Sequence, residues 1–384
     1  MAKNEYKSRV YTDRPAYADY EPAEKFEAIK GIIITRLKQH PKAICSYSGG
    51  ADSDIMIDLI EGEYGARKYI PSLPPVKYIF FNTGLEMRAT KEHVRETAEK
   101  YGVEIEEVRP KVSIVQASRE YGIPFASKAF SQGTGDLQRK NIPLSIIDEY
   151  EQAEDKEKVF ECLVKKYPKS IRVLKFFCGC MKDGTPSTNR ALTVNSLKYG
   201  ADFIRTYPPD FRISARCCDY CKKHPAHRLQ KDYEMIITGE RNAEGGLRAI
   251  AKYSTSETGC FAETSDGKFR LRPLFYVSNS DKAWYKQKFG VRYSDAYEVY
   301  GLTRTGCCGC PISSKAIDDL EKIRPFEPNV VKAAWNIFGK SYLYRQQYNE
   351  YKKRRMAIEK EGGLQETLPE VSRGEVADDS RKFI

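Results

Sequence analysis

Residues 43–60 read AICSYSGGADSDIMIDLI and change from a strand pattern to a helix pattern across two adjacent glycines. The first three residues form a short β-prone run, and apolar residues recur at helical spacing from Ile55 to Ile60. Adjacent glycines let backbone N–H groups approach an anion, and the following helix adds its unpaired N–H groups and positive dipole end. The stretch therefore predicts a strand–loop–helix unit that binds an anion.

The same alternation of strands and helices continues along the chain. Residues 21–40 have the apolar spacing of an amphipathic helix, and 91–101 repeat it. Residues 76–81, 103–108 and 234–238 have the composition of short strands. Strands that alternate with helices at this spacing predict an α/β fold, with a parallel sheet and helices on both of its faces.

Composition places the chain among folded proteins. Of its 384 residues, 41% are hydrophobic and 30% charged, which is too apolar for a disordered chain. No apolar run approaches the ~20 residues of a membrane span, and the first residues lack an apolar signal region. We therefore expect a cytoplasmic protein without a membrane partner. The net charge of +11 suits an anionic partner such as a nucleotide or a nucleic acid.

Three regions are predicted. Residues 1–22 form an N-terminal arm, and residues 23–311 form the α/β domain, with a helical insertion at about 110–215. The insertion is predicted to have helices at 112–121, 146–167 and 192–198. Residues 312–384 form a basic helical extension, with one helix or two at 329–361, and a polar tail.

The glycine loop also carries polar side chains. Ser48 and Ser53 supply hydroxyl groups, and Asp52 suits a phosphate site where a metal ion or a substrate hydroxyl lies between the two anions. The loop lacks the lysine of a Walker A motif and is not G-x-G-x-x-G.

The string SGGADS at 48–53 resembles the SGGxDS loop of the PP-loop family, which includes ATP pyrophosphatases, sulfonucleotide reductases and tRNA thiolation enzymes. The resemblance implies an adenine nucleotide alpha-hydrolase-like PP-loop domain. It also implies that the loop holds the phosphate or sulfate end of ATP or of the sulfonucleotides APS and PAPS. The residues implied are Ser48, Gly49, Gly50, Asp52 and Ser53, with Asp52 and Ser53 also catalytic.

The eleven cysteines cluster instead of spreading as a disulfide framework would. Cys217 and Cys218 are adjacent, and a C-x-x-C run from Cys307 to Cys310 follows about ninety residues later. Adjacent thiolates can bind two metals of one cluster, and four thiolates are the usual ligands of a 4Fe-4S cluster. A zinc site, which more often uses paired C-x-x-C knuckles, and the absence of any metal are the alternatives.

This spacing resembles the cluster signature of 4Fe-4S sulfonucleotide reductases, in which lysines also follow the cysteine pair, as Lys222 and Lys223 do here. The resemblance implies four ligands and leaves Cys221 and Cys308 as competing thiols. The implied ligands are Cys217, Cys218, Cys307 and Cys310.

Two further segments resemble the PAPS reductase family in the same order along the chain. Asn82, Thr83 and Gly84 stand where the family has a DTG-like turn that contacts adenosine, with Asn82 in place of the usual Asp. Residues 239–248 resemble the family's G-x-R-x(6)-R segment. This implies that Gly239 contacts the nucleotide and that Arg241 and Arg248 clamp anions and serve catalysis, since guanidinium forks match phosphate and sulfate.

One feature departs from the family. Its reductases attack sulfur with a cysteine in a C-terminal tail, whereas the last cysteine of this sequence is Cys310. Cys178 and Cys180 are the alternative thiol pair, although a C-x-C in a helical segment fits buried packing equally well.

Three functions follow as hypotheses. The first is AMP-forming ATP pyrophosphatase chemistry with Mg²⁺, in sulfur transfer to an acceptor such as a nucleic acid (tRNA or DNA). The second is a reductase that produces sulfite from APS or PAPS, and the third is a non-catalytic nucleotide-binding Fe-S regulator. A sulfur donor or thiol reductant protein is the expected partner, and a homo-oligomer is a further expectation.

Overall fold

A computed structural model describes residues 15–187, 199–244, 260–264 and 266–360. The chain divides into two compact units. The sheet unit comprises the residues up to Pro110 together with Lys222–Cys307, and the helical unit comprises Lys111–Cys221 together with the residues from Cys308 onward.

The sheet unit is built on a mixed sheet with the strand order β3-β2-β1-β4-β6-β5. The first four strands and β6 pair in parallel, and β5 pairs with β6 in the antiparallel sense. The predicted α/β class with a mainly parallel sheet is therefore confirmed, while the β5–β6 hairpin was not predicted. The strands are β1 (Ala43–Ser46), β2 (Val76–Phe81), β3 (Ile105–Val108), β4 (Met235–Ile237), β5 (Phe261–Glu263) and β6 (Phe269–Leu271).

Helices make up most of the remaining described chain. Those of the sheet unit are α1 to α4 and α12 to α14; the others belong to the helical unit. Their bounds are α1 (Pro22–Gln39), α2 (Ala51–Glu61), α3 (Ala66–Tyr69), α4 (Arg88–Tyr101), α5 (Ile114–Tyr121), α6 (Lys128–Lys140), α7 (Ile146–Glu151), α8 (Lys156–Lys166), α9 (Ile171–Cys178), α10 (Gly200–Thr206), α11 (Arg216–Cys218), α12 (His224–Gln230), α13 (Asn279–Phe289), α14 (Asp295–Glu298), α15 (Ala316–Ile323) and α16 (Pro328–Lys360).

The chain order of the strands creates a crevice beside β1. From β1 the chain builds β2 and β3 on one side, and it later returns to the other side to form β4. Ala43 is in register with both Val76 and Met235, so the carboxyl ends of β1 and β4 lie next to each other. Ligands of open α/β sheets bind at such a switch point.

Apolar side chains explain why β1 and its helices hold together. Ile44 and Cys45 are almost fully buried, as expected for a central parallel strand. On α1, Phe26, Ile29 and Ile33 are buried in the same core as Cys45, which confirms the predicted amphipathic helix.

The helical unit has its own aromatic core. Phe125 and Phe203 pack against Tyr344 and Tyr348 of α16, with ring centroids 4.8–5.8 Å apart. Such ring pairs stabilise a core beyond the area that they bury. The helix predicted from the sequence at 329–361 is therefore present as α16 and is anchored by its tyrosines.

One predicted helix is divided in two. Residues 146–167 form α7 and α8, because the side chain of Asp155 accepts a hydrogen bond from the backbone N–H of Lys158 and starts a new helix. The Lys156 ammonium donates to the carbonyl oxygens of Glu151 and Ala153 near the end of α7. The helix predicted at 192–198 lies outside the described residues.

Within the described ranges, no helix combines the length and the apolarity needed to span a membrane.

Candidate functional site

The loop between β1 and α2 depends on glycine at two positions. Gly49 has φ of +65°, and a Cβ atom there would lie 2.8 Å from Cγ2 of Thr90. Gly50 caps α2, and a Cβ there would lie 2.8 Å from Oγ1 of Thr305. Any side chain at either position would displace a neighbour, so the loop backbone keeps a close approach that only glycine permits.

Ser53 holds this loop in shape. Its hydroxyl oxygen accepts the backbone N–H groups of Gly50 at 3.0 Å and Ser48 at 3.3 Å, and its O–H donates to the Gly50 carbonyl at 2.6 Å. These contacts give Ser53 a loop-organising role. Its catalytic role remains a prediction.

A buried polar network supports the loop from behind. The Asp54 carboxylate accepts hydrogen bonds at the same oxygen from the Tyr47 hydroxyl and from Nε2 of His93, which lies 2.9 Å away. Burial raises the pKa of Asp54, and the bonds from His93 and Tyr47 partly oppose that shift. Sequence reasoning missed this network, although a charged residue on an apolar helix was a signal for it.

A cavity of about 630 Å³ opens where the carboxyl ends of β1 and β4 meet. It brings together six of the predicted site residues, which come from two segments almost two hundred residues apart. The predicted residues that line it are Ser48, Gly50, Asp52, Ser53, Gly239 and Arg241.

The cavity also contains side chains that the sequence did not single out. They come from the segment after β4, from α13 and α14, and from the loop after α14. Those after β4 lie within the motif segment 239–248, whereas no local pattern marks the others, which reach the cavity only through the fold. The side chains of both groups include Glu240, Glu244, Asn279, Lys282, Tyr297, Arg304 and Thr305.

Asp52 joins two cations at this site. Its Oδ1 accepts hydrogen bonds from Nε of Arg241 at 2.9 Å and from Nζ of Lys282 at 3.0 Å. Nη1 of the buried Arg241 donates to the Val277 carbonyl and to Oδ1 of Asn279, each at 3.1 Å. The guanidinium is therefore fixed in one orientation beside the loop, as an anion clamp requires.

Gly239 allows the close approach of the two segments. A Cβ atom there would lie 3.2 Å from the carbonyl oxygen of Asp52. The loop after β4 therefore packs directly against the start of α2. Arg248, the second predicted clamp, lies outside the described residues.

Charges of both signs line the cavity. Three cations, Arg241, Lys282 and Arg304, face the same space as the carboxylates of Asp52, Glu240 and Glu244. Cations beside a helix N-terminus suit a phosphate chain.

Mg²⁺ commonly binds through one or two carboxylates together with nucleotide phosphates. Among the described residues there is no group of three or more His, Cys, Asp or Glu side chains that could hold a metal ion. Asp52, Glu240 and Glu244 line the cavity, and their carboxylates are the kind of ligand that Mg²⁺ shares with nucleotide phosphates.

The predicted adenosine-binding turn, residues 82–84, is held by its own hydrogen bonds and does not line the cavity. Oδ1 of Asn82 accepts the backbone N–H of Gly84 at 2.9 Å, and Nδ2 of Asn82 donates to Glu107 at 3.1 Å. The Thr83 hydroxyl and backbone N–H both donate to the buried carboxylate of Glu86. These bonds stabilise the turn after β2, and its residues are not among those that line the cavity. Contact with adenosine remains a prediction.

The cysteines fall in both units. Cys307 belongs to the sheet unit, where its Sγ lies 3.5 Å from Oγ1 of Thr83. Cys217, Cys218 and Cys310 belong to the helical unit, and Cys217 is buried. Since no metal-holding group is found among the described side chains, the cluster remains a prediction of the sequence.

The alternative thiol pair is poorly suited to nucleophilic attack. Burial raises the pKa of Cys180 to about 11, and it raises the pKa of Cys178 still further. A nucleophilic cysteine needs a lowered pKa, because the thiolate is the reactive form. The surroundings of both thiols therefore favour packing over redox chemistry.

Residues 42–141 match the family model of the phosphoadenosine phosphosulfate reductase domain. No curated protein matches the chain in sequence. Among solved structures, a phosphoadenylyl-sulfate (PAPS) reductase from Candida auris, in complex with phosphate, aligns with 15% identity and a TM-score of 0.34. That alignment covers 76% of this chain and 90% of the other. Over residues 42–141, which include the SGGADS loop, the chain is similar in sequence to that reductase domain.

Proposed function

We propose that the protein is an AMP-forming ATP pyrophosphatase that activates an acceptor for sulfur transfer. The mixed lining of the cavity carries this proposal: the cations Arg241 and Lys282 suit a phosphate chain, and the nearby carboxylates suit its magnesium ion. Asp52 has a task in either reaction, because it anchors Arg241 and Lys282. The additional carboxylates Glu240 and Glu244 suit a metal-bound triphosphate better than a sulfonucleotide that binds without a metal ion.

The chain's own residues have distinct tasks in this reaction. The backbone N–H groups at the start of α2 bind the β- and γ-phosphates, with Arg241 and Lys282 beside them. Asp52 positions those two cations. Mg²⁺, when bound with the nucleotide, neutralises phosphate charge.

The proposed reaction has two steps. A nucleophilic oxygen of the acceptor attacks the α-phosphorus, the bond from that phosphorus to the bridging oxygen breaks, and pyrophosphate leaves with its electron pair. A sulfur donor then attacks the activated carbon or phosphorus of the acceptor and expels AMP. A nucleic acid with such an oxygen is the proposed acceptor, since the chain has an excess of positive charge.

A second candidate is favoured by the family match at 42–141. In a sulfonucleotide reductase, a thiolate attacks the sulfur of APS or PAPS, and the nucleotide phosphate leaves. A thiol reductant protein then releases sulfite from the resulting thiosulfonate.

Turnover assays distinguish these reactions. The purified protein is incubated without oxygen in two assays: with α-labelled ATP, Mg²⁺, a tRNA or DNA acceptor and sulfide, or with APS or PAPS and a thiol reductant. Release of AMP and pyrophosphate from ATP supports the first proposal, whereas sulfite from APS or PAPS supports the second and overturns the first. Binding of nucleotide without either product supports the non-catalytic regulator.

A variant pair links turnover to the cavity. Lys282→Met removes a cation that lines the cavity, and we expect it to lower turnover of ATP by roughly tenfold or more. Lys286→Met is the matched control, since Lys286 lies one turn later on α13 and pairs with Glu298 at the surface. Equal turnover by the two variants would contradict the assignment of the cavity.

The spacing of the cysteines supports a separate proposal: a 4Fe-4S cluster bound by Cys217, Cys218, Cys307 and Cys310. Iron and sulfide are measured after anaerobic purification. We expect about four of each per chain, and loss of both in Cys307→Ala. The control is Cys162→Ala, because Cys162 is exposed and outside the motif. Full iron in Cys307→Ala would show that this cysteine is not a ligand.

A further inference from the structure

A second cavity, of about 530 Å³, lies within the helical unit, and the proposed reaction does not use it. Four arginines from separate elements line it. Arg139 is on α6, Arg172 on α9 and Arg216 on α11, and Arg212 lies in the segment before α11. We propose that this cavity binds the phosphate groups of a nucleotide or of a single-stranded nucleic acid.

Close backbone packing fixes one wall of the cavity. Gly122 has φ of +102°, and a Cβ atom there would lie 2.3 Å from the carbonyl oxygen of Arg212. A Cβ atom on Gly135 of α6 would lie 2.5 Å from the carbonyl oxygen of Ile213. The Ile213 N–H also donates to the side chain of Gln138 at 2.8 Å. The backbone at 212–213 is therefore held against α5 and α6, which sets the position of Arg212.

A single carboxylate holds two of the arginines near each other. Asp136 accepts a hydrogen bond from Nη2 of Arg139 at 2.7 Å, and its other oxygen lies 3.7 Å from Nη2 of Arg172. The Arg216 guanidinium lies 5.2 Å from the ring centroid of Tyr121. The arginines thus have partners that orient them within the protein.

The lining keeps an excess of positive charge. Four arginines face the carboxylates of Glu120, Asp136 and Asp219, so 4 − 3 leaves one positive charge. The side chains of Arg139 and Arg172 are 55% and 74% exposed, so a ligand can reach them from solvent. Guanidinium groups bind phosphate oxygens in bidentate fashion, and phosphate is therefore the chemistry that this lining matches.

An aromatic surface beside the arginines points to a nucleotide. Tyr121 and Tyr220 stack with ring centroids 4.7 Å apart and planes 3° apart. Sites for single-stranded nucleic acid combine basic groups along the backbone with aromatic or guanidinium planes on which bases stack. The stacked tyrosine rings supply the aromatic surface, and Arg216 supplies a basic group.

The test compares two double variants with the same change in charge. Arg212→Gln/Arg216→Gln removes two arginines of the cavity, whereas Arg119→Gln/Lys165→Gln removes two exposed cations that do not line it. Binding is measured by fluorescence anisotropy with a labelled oligothymidylate and, separately, with labelled adenosine 3′,5′-bisphosphate.

We expect the cavity variant to bind at least one probe roughly tenfold more weakly than the wild type, and the control to bind as the wild type does. For the oligothymidylate, the slope of log K against log salt should fall by about 1.4, since each single-strand phosphate contact contributes about 0.7. An effect on the oligothymidylate identifies a nucleic-acid strand, and an effect on the bisphosphate alone identifies a nucleotide.

Arg172→Gln is a control for misfolding, because this side chain is exposed and its ion pair with Asp136, at 3.7 Å, is long. It should weaken the same probe by a smaller factor. Turnover of ATP should stay unchanged in all of these variants, which separates this proposal from the one for the sheet unit. Equal affinity of the cavity and control variants for both probes, or no binding of either probe to the wild type, would overturn the proposal.

Discussion

Gly49 and Gly102 have nearly the same backbone conformation, with φ of +65° and +62°, but different surroundings. A Cβ atom on Gly49 would meet Thr90 at 2.8 Å, whereas one on Gly102 would have nothing within 4 Å. The left-handed conformation alone costs a non-glycine residue ~1–2 kcal/mol. Alanine substitutions at the two positions therefore distinguish the free-energy cost of the left-handed backbone from the cost of steric overlap.

We predict that Gly49→Ala lowers the free energy of unfolding more than Gly102→Ala does, and that it also weakens binding of ATP. Gly102→Ala should cost about 1 kcal/mol and leave binding unchanged. Urea denaturation and calorimetric titration with ATP measure the two effects. Equal destabilisation with unchanged affinity in both variants would show that the loop tolerates a side chain.

Asp52 is the residue that joins Arg241 and Lys282 through one carboxylate oxygen. We predict that Asp52→Ala lowers turnover by about a hundredfold, because both cations lose their common anchor beside the substrate. Asp318→Ala, at an exposed position of α15, should not change the rate. Iron content should be the same in both proteins, so a loss of iron in Asp52→Ala would contradict a role confined to the cavity.

At the scale of elements, a buried ion pair joins α1 to α13. Nζ of Lys25 lies 2.7 Å from Oδ2 of Asp281, and both side chains are at most 7% exposed. Burial by itself would raise the pKa of Asp281, but hydrogen bonds from Lys25 and Ser278 together lower it below its usual 3.8. The pair matters for the site because α13 also carries Lys282 into the cavity.

We predict that Lys25→Met lowers the free energy of unfolding by ~3 kcal/mol near neutral pH, because it leaves a buried carboxylate without its partner. The wild-type pair stabilises the fold above the unfolded pKa of Asp281 and loses that effect as pH falls through the folded pKa. The loss of unfolding free energy caused by Lys25→Met should therefore be smaller at acidic pH. Lys77→Met, whose glutamate partners are exposed, should cost ~1 kcal/mol or less. Urea midpoints across pH test this, and a penalty that stays constant with pH would contradict it.

At the scale of the whole molecule, local sequence patterns were enough to predict the parallel sheet and the glycine loop. The run from Ala43 to Cys45, the two glycines and the helix after them encode their conformations within a few residues. The β5–β6 hairpin was missed because each strand is only three residues long. β4 is equally short but could be predicted, because its three residues form an unbroken apolar run, whereas β5 contains Glu263 and β6 contains Arg270.

The rest of the candidate site depends on tertiary structure. Lys282, Tyr297 and Arg304 reach the cavity from segments that follow β6, and no spacing in the sequence relates them to Gly49. The order of the strands places these segments near the loop. Asp52 and Arg241 could be selected as site residues from their motifs, but Lys282 and the pairing of both cations with Asp52 could be identified only from the structure.

Binding of the anionic end of an adenine nucleotide in the cavity can be measured by equilibrium titration. The wild-type protein is titrated by calorimetry with adenosine and with the non-hydrolysable α,β-methylene analogue of ATP, each in the presence of Mg²⁺. We predict that the triphosphate analogue binds about a hundredfold more tightly than adenosine and that Lys282→Met narrows this difference. Equal affinity for the two ligands, or a difference that Lys282→Met leaves unchanged, would contradict the account.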